Sequence, residues 1–270
     1  EGLRDLAALM MADGDFCAAQ ELLTRASAQA PDNRAIRMTR ALNAFRLGNY
    51  HEGLEGYEAR WYRTPHDKPW DVPVPEWDGQ PVNGQLIVYC EQGIGDYVMF
   101  GLMFSELRKY AKSITIEVNA RLASLFRRSF PDMPVIDRNM LPANWDPRNY
   151  QAKAAMGELY RLLCADMENL PNRGGFLIPE PALALKLRKR YRELFPGKRL
   201  IGISWRSGNR DSATIRSIDL DLWRPIFETP DWAFISLQYG DIGRDLEILR
   251  RETGHIVQWD REVDPTQYLD

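Results

Sequence analysis

The chain has 270 residues, more than a single domain usually holds, so two or three units are expected, each large enough to bury a core. Lysine and arginine total 35 against 38 aspartates and glutamates, a net charge of −3 that offers no basic surplus to nucleic acid or an anionic membrane. The longest strongly apolar run, Tyr97 to Phe104, is far too short to span a bilayer and nothing at the N-terminus reads as a signal peptide, so the expected compartment is the cytoplasm.

Residues 1–63 repeat. A shift of 34 positions superimposes Ala7 on Ala41, Gly14-Asp15-Phe16 on Gly48-Asn49-Tyr50, Ala19 on Gly53 and Leu23 on Tyr57, and this is the tetratricopeptide (TPR) period. Small residues at Ala7, Ala19 and Ala26 let two helices approach closely, Gly14 opens the turn and Pro31 ends the second helix. The second copy is weaker, with Arg60 in the place of Ala26, which suits a terminal repeat docked on another domain. Two repeats are fewer than usually stand alone, so further repeats or a packed neighbour are expected. The groove of such hairpins is a surface for a protein partner; a spacer or dimerisation element is the plainer alternative.

Residues 64–85 carry Pro65, Pro69, Pro73, Pro75 and Pro81 with Trp70 and Trp77, a composition that forbids a regular helix and reads as an ordered linker pinned by its tryptophans. The next segment, 86–180, opens with the apolar strand Leu86–Cys90, the loop Glu91-Gln92-Gly93-Ile94-Gly95-Asp96, a helix to about Lys112 and a second strand, Ile114–Val118. Strand, glycine turn, helix and strand make a βαβ unit whose ligands bind at the carboxyl ends of the strands, where this loop lies. Gly93 and Gly95 allow close approach of backbone N–H groups to a ligand. They also supply the first two glycines of a dinucleotide fingerprint with Glu117 as the ribose ligand, but Val98 occupies the third glycine position and Asp96 would compete with a pyrophosphate. Arg121–Phe130 reads as a helix, Val135–Asp137 as a third strand, and Met140–Pro171 as less regular.

Residues 181–270 begin with an amphipathic basic helix, Pro181–Phe195, with Leu183, Leu187, Tyr191 and Leu194 on one face. Leu200–Trp205 is the first strand of a new sheet, followed by the polar loop 206–217, a helix near Leu220, a strand at Trp232–Leu237 and a helix at Gly243–Thr253. Cys17, Cys90 and Cys164 are odd in number and set in apolar segments, so buried thiols are expected and no disulfide framework. The chain starts at Glu1 and stops at Asp270 in what reads as a linker, so a piece of a longer protein is expected.

The stretch Leu86-Ile-Val-Tyr-Cys-Glu-Gln-Gly-Ile-Gly-Asp96 resembles the opening of the first domain in TPR-linked glycosyltransferases related to the ADP-heptose:lipopolysaccharide heptosyltransferases. That resemblance implies an α/β fold with an all-α N-terminal part: TPR hairpins, a Rossmann-like GT-B N-terminal (acceptor) domain at 86–180 and a partial GT-B C-terminal (donor) domain at 181–270. It implies that Asp96 is the catalytic base, with a plain helix cap as the alternative, and that Gln92, Gly93 and Gly95 contact substrate. The loop Trp205-Arg206-Ser-Gly-Asn209, Arg216-Ser217-Ile218 and Ser236-Leu-Gln238 are similar to the family's donor-side motifs. Arg206, Arg216, Ser217 and Gln238 are thereby donor-binding candidates, the arginines facing the charge that builds on a leaving nucleoside diphosphate; each could equally brace a loop. Tyr150–Met156 is similar to a segment near the acceptor site, but Lys153 and Ala154 depart from the pattern and receive no role. Asp219-Leu220-Asp221 has metal-motif spacing but reads as a helix start, and no histidine stands in a ligand-spaced cluster, so neither metal nor cofactor is expected.

The implied function is transfer of a sugar from a nucleotide-sugar donor to a hydroxyl of a glycan or protein acceptor, metal-independent and inverting, in a cleft between the two Rossmann-like domains. The rivals are a non-catalytic TPR interaction module with a degenerate transferase domain and a nicotinamide-dependent oxidoreductase.

Overall fold

The computed structural model describes residues 2–61, 68–164, 174–207 and 216–263, and the chain divides into two compact units, Glu1–Phe176 and Leu177–Asp270. Pro65 and His66 of the expected linker, and Gly208 and Asn209 of the expected donor loop, lie outside the described residues. Each unit is built on its own parallel sheet, so the architecture is mixed α/β. No described helix is long and apolar enough to cross a membrane.

The first unit starts with four helices, α1 (Gly2–Ala12), α2 (Phe16–Gln29), α3 (Arg34–Arg46) and α4 (Tyr50–Tyr57), each packed on the next. Their starts follow from side-chain caps. Asp15 accepts the N–H of Ala18, Asn33 those of Ala35 and Ile36, and Asn49 that of Glu52, each satisfying donors that the first turn leaves open. Gly14 and Gly48, equivalent under the 34-residue shift, both adopt left-handed φ, +85° and +76°, in the turns after α1 and α3. Ala7, Ala19 and Leu23 are fully buried between α1 and α2, with Met10, Met11 and Leu22 around them. A single turn, Glu58–Arg60, follows α4 and ends the helical part.

The sheet of this unit contains β1 (Val82–Tyr89), β2 (Ala111–Glu117), β3 (Val135–Ile136) and β4 (Tyr150–Ala155), in the order β3-β2-β1-β4 and all parallel. The apolar run Leu86–Tyr89 lies at its centre, each residue 2% exposed or less, as expected of a parallel strand covered on both faces. β1 begins at Val82, ahead of the expected Leu86. Helix α5 (Ile94–Gly101) stops well before Lys112, at a glycine that helices tolerate poorly, and a short α6 (Phe104–Leu107) leads into β2. Helix α7 (Ala120–Ser129) carries the chain from β2 to β3.

The region expected to be less regular holds β4 and then α8 (Leu159–Leu163). Ala152, Ala154 and Ala155 are buried, and a strand covered on both faces with small residues shows no period-two alternation by which to detect it. Lys153, given no role above, is itself buried. Its ammonium donates to the carbonyls of Trp70 and Val72 and pairs with Glu76 at 3.3 Å. Its backbone N–H donates to Pro75 and its carbonyl accepts from Trp77 N–H, so the proline-rich stretch is stitched alongside β4 through the groups that proline leaves available. Trp77 is buried and its indole donates to Gln80, in keeping with an ordered segment pinned by tryptophan.

The second unit contains α9 (Pro181–Leu194), β5 (Arg199–Ile203), α10 (Arg224–Phe227), β6 (Trp232–Ser236), α11 (Gly243–Thr253) and β7 (Val257–Gln258), with strand order β5-β6-β7, all parallel. Ile203, Trp205, Phe227, Phe234, Ile242 and Leu249 form most of its core. The apolar stripe of α9 is only half covered: Leu183, Leu187 and Tyr191 are partly buried while Leu194 is exposed.

Candidate functional site

The strand order of the first sheet reverses at β1, because β2 and β3 are added on one side and β4 on the other. Open parallel sheets bind ligands at the carboxyl ends of their strands around such a reversal. Loops after β1, β2 and β3 here surround a cavity of about 320 Å³. Glu91 and Gln92 come from the first loop, Glu117 and Asn119 from the second, Arg138 and Asn139 from the third. The fourth wall is helical: Met38 of α3, with Arg60 and Trp61 from the end of the repeats.

Two ion pairs, one buried and one partly buried, organise this cavity. Arg60 meets Glu91 as a fork, Nε to Oε2 at 2.7 Å and Nη2 to Oε1 at 2.6 Å, and its Nη1 donates to Glu158 at 2.6 Å. Glu91 Oε1 also accepts the backbone N–H of Gly157, after β4, at 2.9 Å. A Cβ on Gly157 would fall 2.5 Å from that carboxylate oxygen, so only glycine fits. Glu91 thus ties the end of the helical part to the loop after β4. Burial works against the Arg60 charge, but Glu91 and Glu158 outweigh it and hold its pKa above the ordinary value.

On the other side, Arg138 donates through Nε to Glu117 Oε1 at 2.8 Å, through Nη2 to Glu117 Oε2, and to the Cys90 carbonyl at 2.6 Å. Glu117 in turn accepts the Cys90 N–H at 3.0 Å. Its carboxylate is thus committed within the protein, which weakens the ribose-ligand alternative. Burial, then the neighbouring Cys90 and Glu117, push the Tyr97 phenol up to about 12, so it is a protonated hydroxyl at neutral pH. Burial likewise raises the Cys90 thiol well above its usual range, leaving it a weak nucleophile. Cys90 and Cys164 are buried as expected; Cys17 is exposed, contrary to expectation, because it sits on the outward side of α2.

Of the residues expected on the first loop, Gln92 lines the cavity and Gly93, Gly95 and Asp96 lie just beyond its lining. Asp96, half-buried in the first turn of α5, accepts the Gly93 N–H through Oδ2 at 2.9 Å, the geometry of a helix cap. Gln92 has φ +64°, a left-handed conformation in a residue with a Cβ, and its side-chain oxygen accepts the Tyr57 hydroxyl at 2.9 Å. Strain and hydrogen bond can be separated. Gln92→Ala and Gln92→Gly both lose the bond, but only glycine relieves the backbone, so the glycine variant is expected to be about 1 kcal/mol more stable than the alanine variant. Urea unfolding of the two proteins measures this; equal midpoints would mean the loop relaxes freely.

In the second unit a cavity of about 440 Å³ lies beside the end of β5, and Arg206 and Ser217 line it with Asp219, Asp221 and Asp245. Arg206 is already engaged, pairing with Asp245 at 3.0 Å and donating to the Asp241 carbonyl at 2.5 Å. Ser217 accepts the Ser207 N–H at 3.1 Å. Arg216 is exposed and outside the lining. Gln238, 3% exposed, accepts from Ser204 Oγ and from the N–H groups of Trp205 and Arg206, so it braces the loop after β5. Asp219 and Asp221 line this cavity, yet no group of three metal-ligating side chains occurs among the described residues.

Residue-level reading missed Arg60, Glu91, Arg138 and Trp61 as members of the first cavity. One signal pointed to Arg60: a charged residue in a position that the repeat reserves for a small one.

Fold and cavity define a mixed α/β protein whose N-terminal helices are built into the same unit as the first parallel sheet. No known family model matches the chain. Protein FlbA of Caulobacter vibrioides is 30% identical over 252 residues, which cover 87% of this chain and 42% of FlbA. The chain thus spans less than half the length of this relative.

Proposed function

We propose that this chain is the TPR and acceptor-side part of a GT-B glycosyltransferase, with the beginning of its nucleotide-sugar domain. The TPR assignment is supported by the equivalence of Gly14 and Gly48 and of the Asp15 and Asn49 caps under the 34-residue period. The observation that carries the reading is the pairing of a cavity at the carboxyl ends of β1, β2 and β3 with a carboxylate, Asp96, in the first helical turn beside it. Asp96 uses only Oδ2 in its cap, and Oδ1 has no hydrogen bond among the described residues, leaving a lone pair for an acceptor hydroxyl. On this reading Asp96 takes the acceptor proton as the sugar's anomeric carbon forms a bond to that oxygen and breaks its bond to the nucleoside diphosphate. Ser217 and Arg206 face the donor, with Arg206 exchanging Asp245 for a diphosphate oxygen. A cytoplasmic setting, where nucleotide sugars are made, belongs to the same proposal.

The test is consumption of nucleotide sugars by the full-length protein. Release of a nucleoside diphosphate from one member of a panel is expected, and that donor, at a hundred times its Kd, should stabilise the native state by about 2.7 kcal/mol. If none is bound or consumed, the transferase reading falls. The second reading, a non-catalytic TPR module, is favoured by one observation: Asp96 is explained as a cap and lies outside the cavity lining.

A further inference from the structure

We infer that the helical N-terminal part supplies the ligand-selecting wall of the first cavity, with Trp61 as its main contact surface, and that the cavity takes an uncharged, polyhydroxylated ring of monosaccharide size. Identification of that ring as the acceptor rests on the transferase reading; the placement of the wall does not.

The wall is fastened to the sheet. Arg60 joins the loops after β1 and β4 through Glu91 and Glu158, and Tyr57 joins the first loop through Gln92. These contacts span 31, 98 and 35 residues of sequence, so the last helical turn cannot shift without dragging the loops that form the cavity floor. The repeats are thereby part of the site and not a tether to it. Charge then narrows the ligand. Both cavity guanidiniums are spent within the protein, Arg60 on Glu91 and Glu158 and Arg138 on Glu117, so neither is left for an anion, and Lys68 is the remaining cation of the lining. Besides that lysine, the lining offers a ligand uncharged hydrogen-bonding groups: the amides of Asn119 and Asn139 and the protonated Tyr97 hydroxyl. Trp61 adds an aromatic surface. The Arg60 guanidinium lies over its ring, 4.3 Å from the centroid, and fixes an aromatic surface among the lining residues, against which the C–H face of a sugar is expected to pack. Amide edges around an aromatic platform match hydroxyls around an apolar ring face, and about 320 Å³ is at the small end of ligand sites.

The test uses the whole chain labelled with 5-fluorotryptophan. The Trp61 fluorine resonance, assigned by its loss in Trp61→Phe, is followed while methyl glycosides of glucose, galactose, mannose and N-acetylglucosamine are added, with inorganic phosphate as the anionic probe. At least one glycoside is expected to move that resonance and phosphate is not; isothermal titration calorimetry then gives Kd for the wild type and for both variants, which lack the resonance, and Trp61→Ala should weaken the effective glycoside by about tenfold while Trp61→Phe retains it. The inference is overturned if no glycoside moves the Trp61 signal, if phosphate moves it more, or if Trp61→Ala binds as tightly as the parent. Should Trp61→Ala fail to fold, the wild-type titration and Trp61→Phe still decide. Glycoside binding without nucleotide-sugar turnover would sink the transferase reading alone, whereas turnover with Trp61-independent binding would sink this inference alone.

Discussion

Replacing Arg60 with alanine is expected to destabilise the first unit by about 3–5 kcal/mol, a large share of the stability of any domain of this size. The guanidinium and the Glu91 carboxylate are each 5% exposed, so removing the arginine leaves a carboxylate buried with, among the described residues, the Gly157 N–H and the Gln92 amide as its remaining donors. An exposed pair such as Arg108–Asp132, of comparable length, should by contrast cost no more than about 1 kcal/mol when broken, because water replaces the lost partner. The double variant Arg60→Met, Glu91→Gln removes both charges together and is expected to be more stable than Arg60→Ala alone. Urea unfolding of the three proteins, read by tryptophan fluorescence, checks the order. A loss below about 1 kcal/mol for Arg60→Ala would mean that the pair is hydrated and the helical wall is not fixed by it.

The second large effect is kinetic. On the transferase proposal, Asp96→Asn in the full-length protein is expected to lower sugar transfer by about a hundred- to ten-thousand-fold, the usual contribution of a general base. The substitution was chosen for what it keeps. Asparagine still offers an oxygen to the Gly93 N–H, and it caps helices about as well as aspartate, so the cost in stability should stay under about 1 kcal/mol. Cap and base therefore make opposite forecasts: unchanged turnover at unchanged stability assigns Asp96 to the helix alone, while lost turnover at unchanged stability assigns it to proton transfer.

How much of this was legible beforehand differs by element, for reasons that can be named. The strand at Leu86–Tyr89, the glycine loop and the helix at Gly243–Thr253 were visible because their signals are local: an apolar run, residues that favour turns, a 3.6-residue period. The same holds for the turns at Gly14 and Gly48, where identical backbone requirements recur one repeat apart. β4 was missed since an alanine-rich strand covered on both faces shows no alternation. Gln238 was placed at a strand end but read as ligand-facing, whereas its oxygen is spent on three donors of the neighbouring loop.

The sequence by itself determined the repeat period, the cap residues, the near-zero charge balance and the strand–loop–helix order that brings Gln92 and Asp96 to the end of β1. Only the tertiary structure decided which charges meet. Arg60 and Glu158 are 98 positions apart, Cys90 and Glu117 are 27, and nothing in the spacing of either pair announces a contact. Caps and periodicity act within a turn or two of the backbone, so they are written in neighbouring residues. A buried ion pair depends on where the chain returns after several elements, and desolvation makes that return decisive: the same arginine at the surface would contribute little, and here it ties three segments to one cavity.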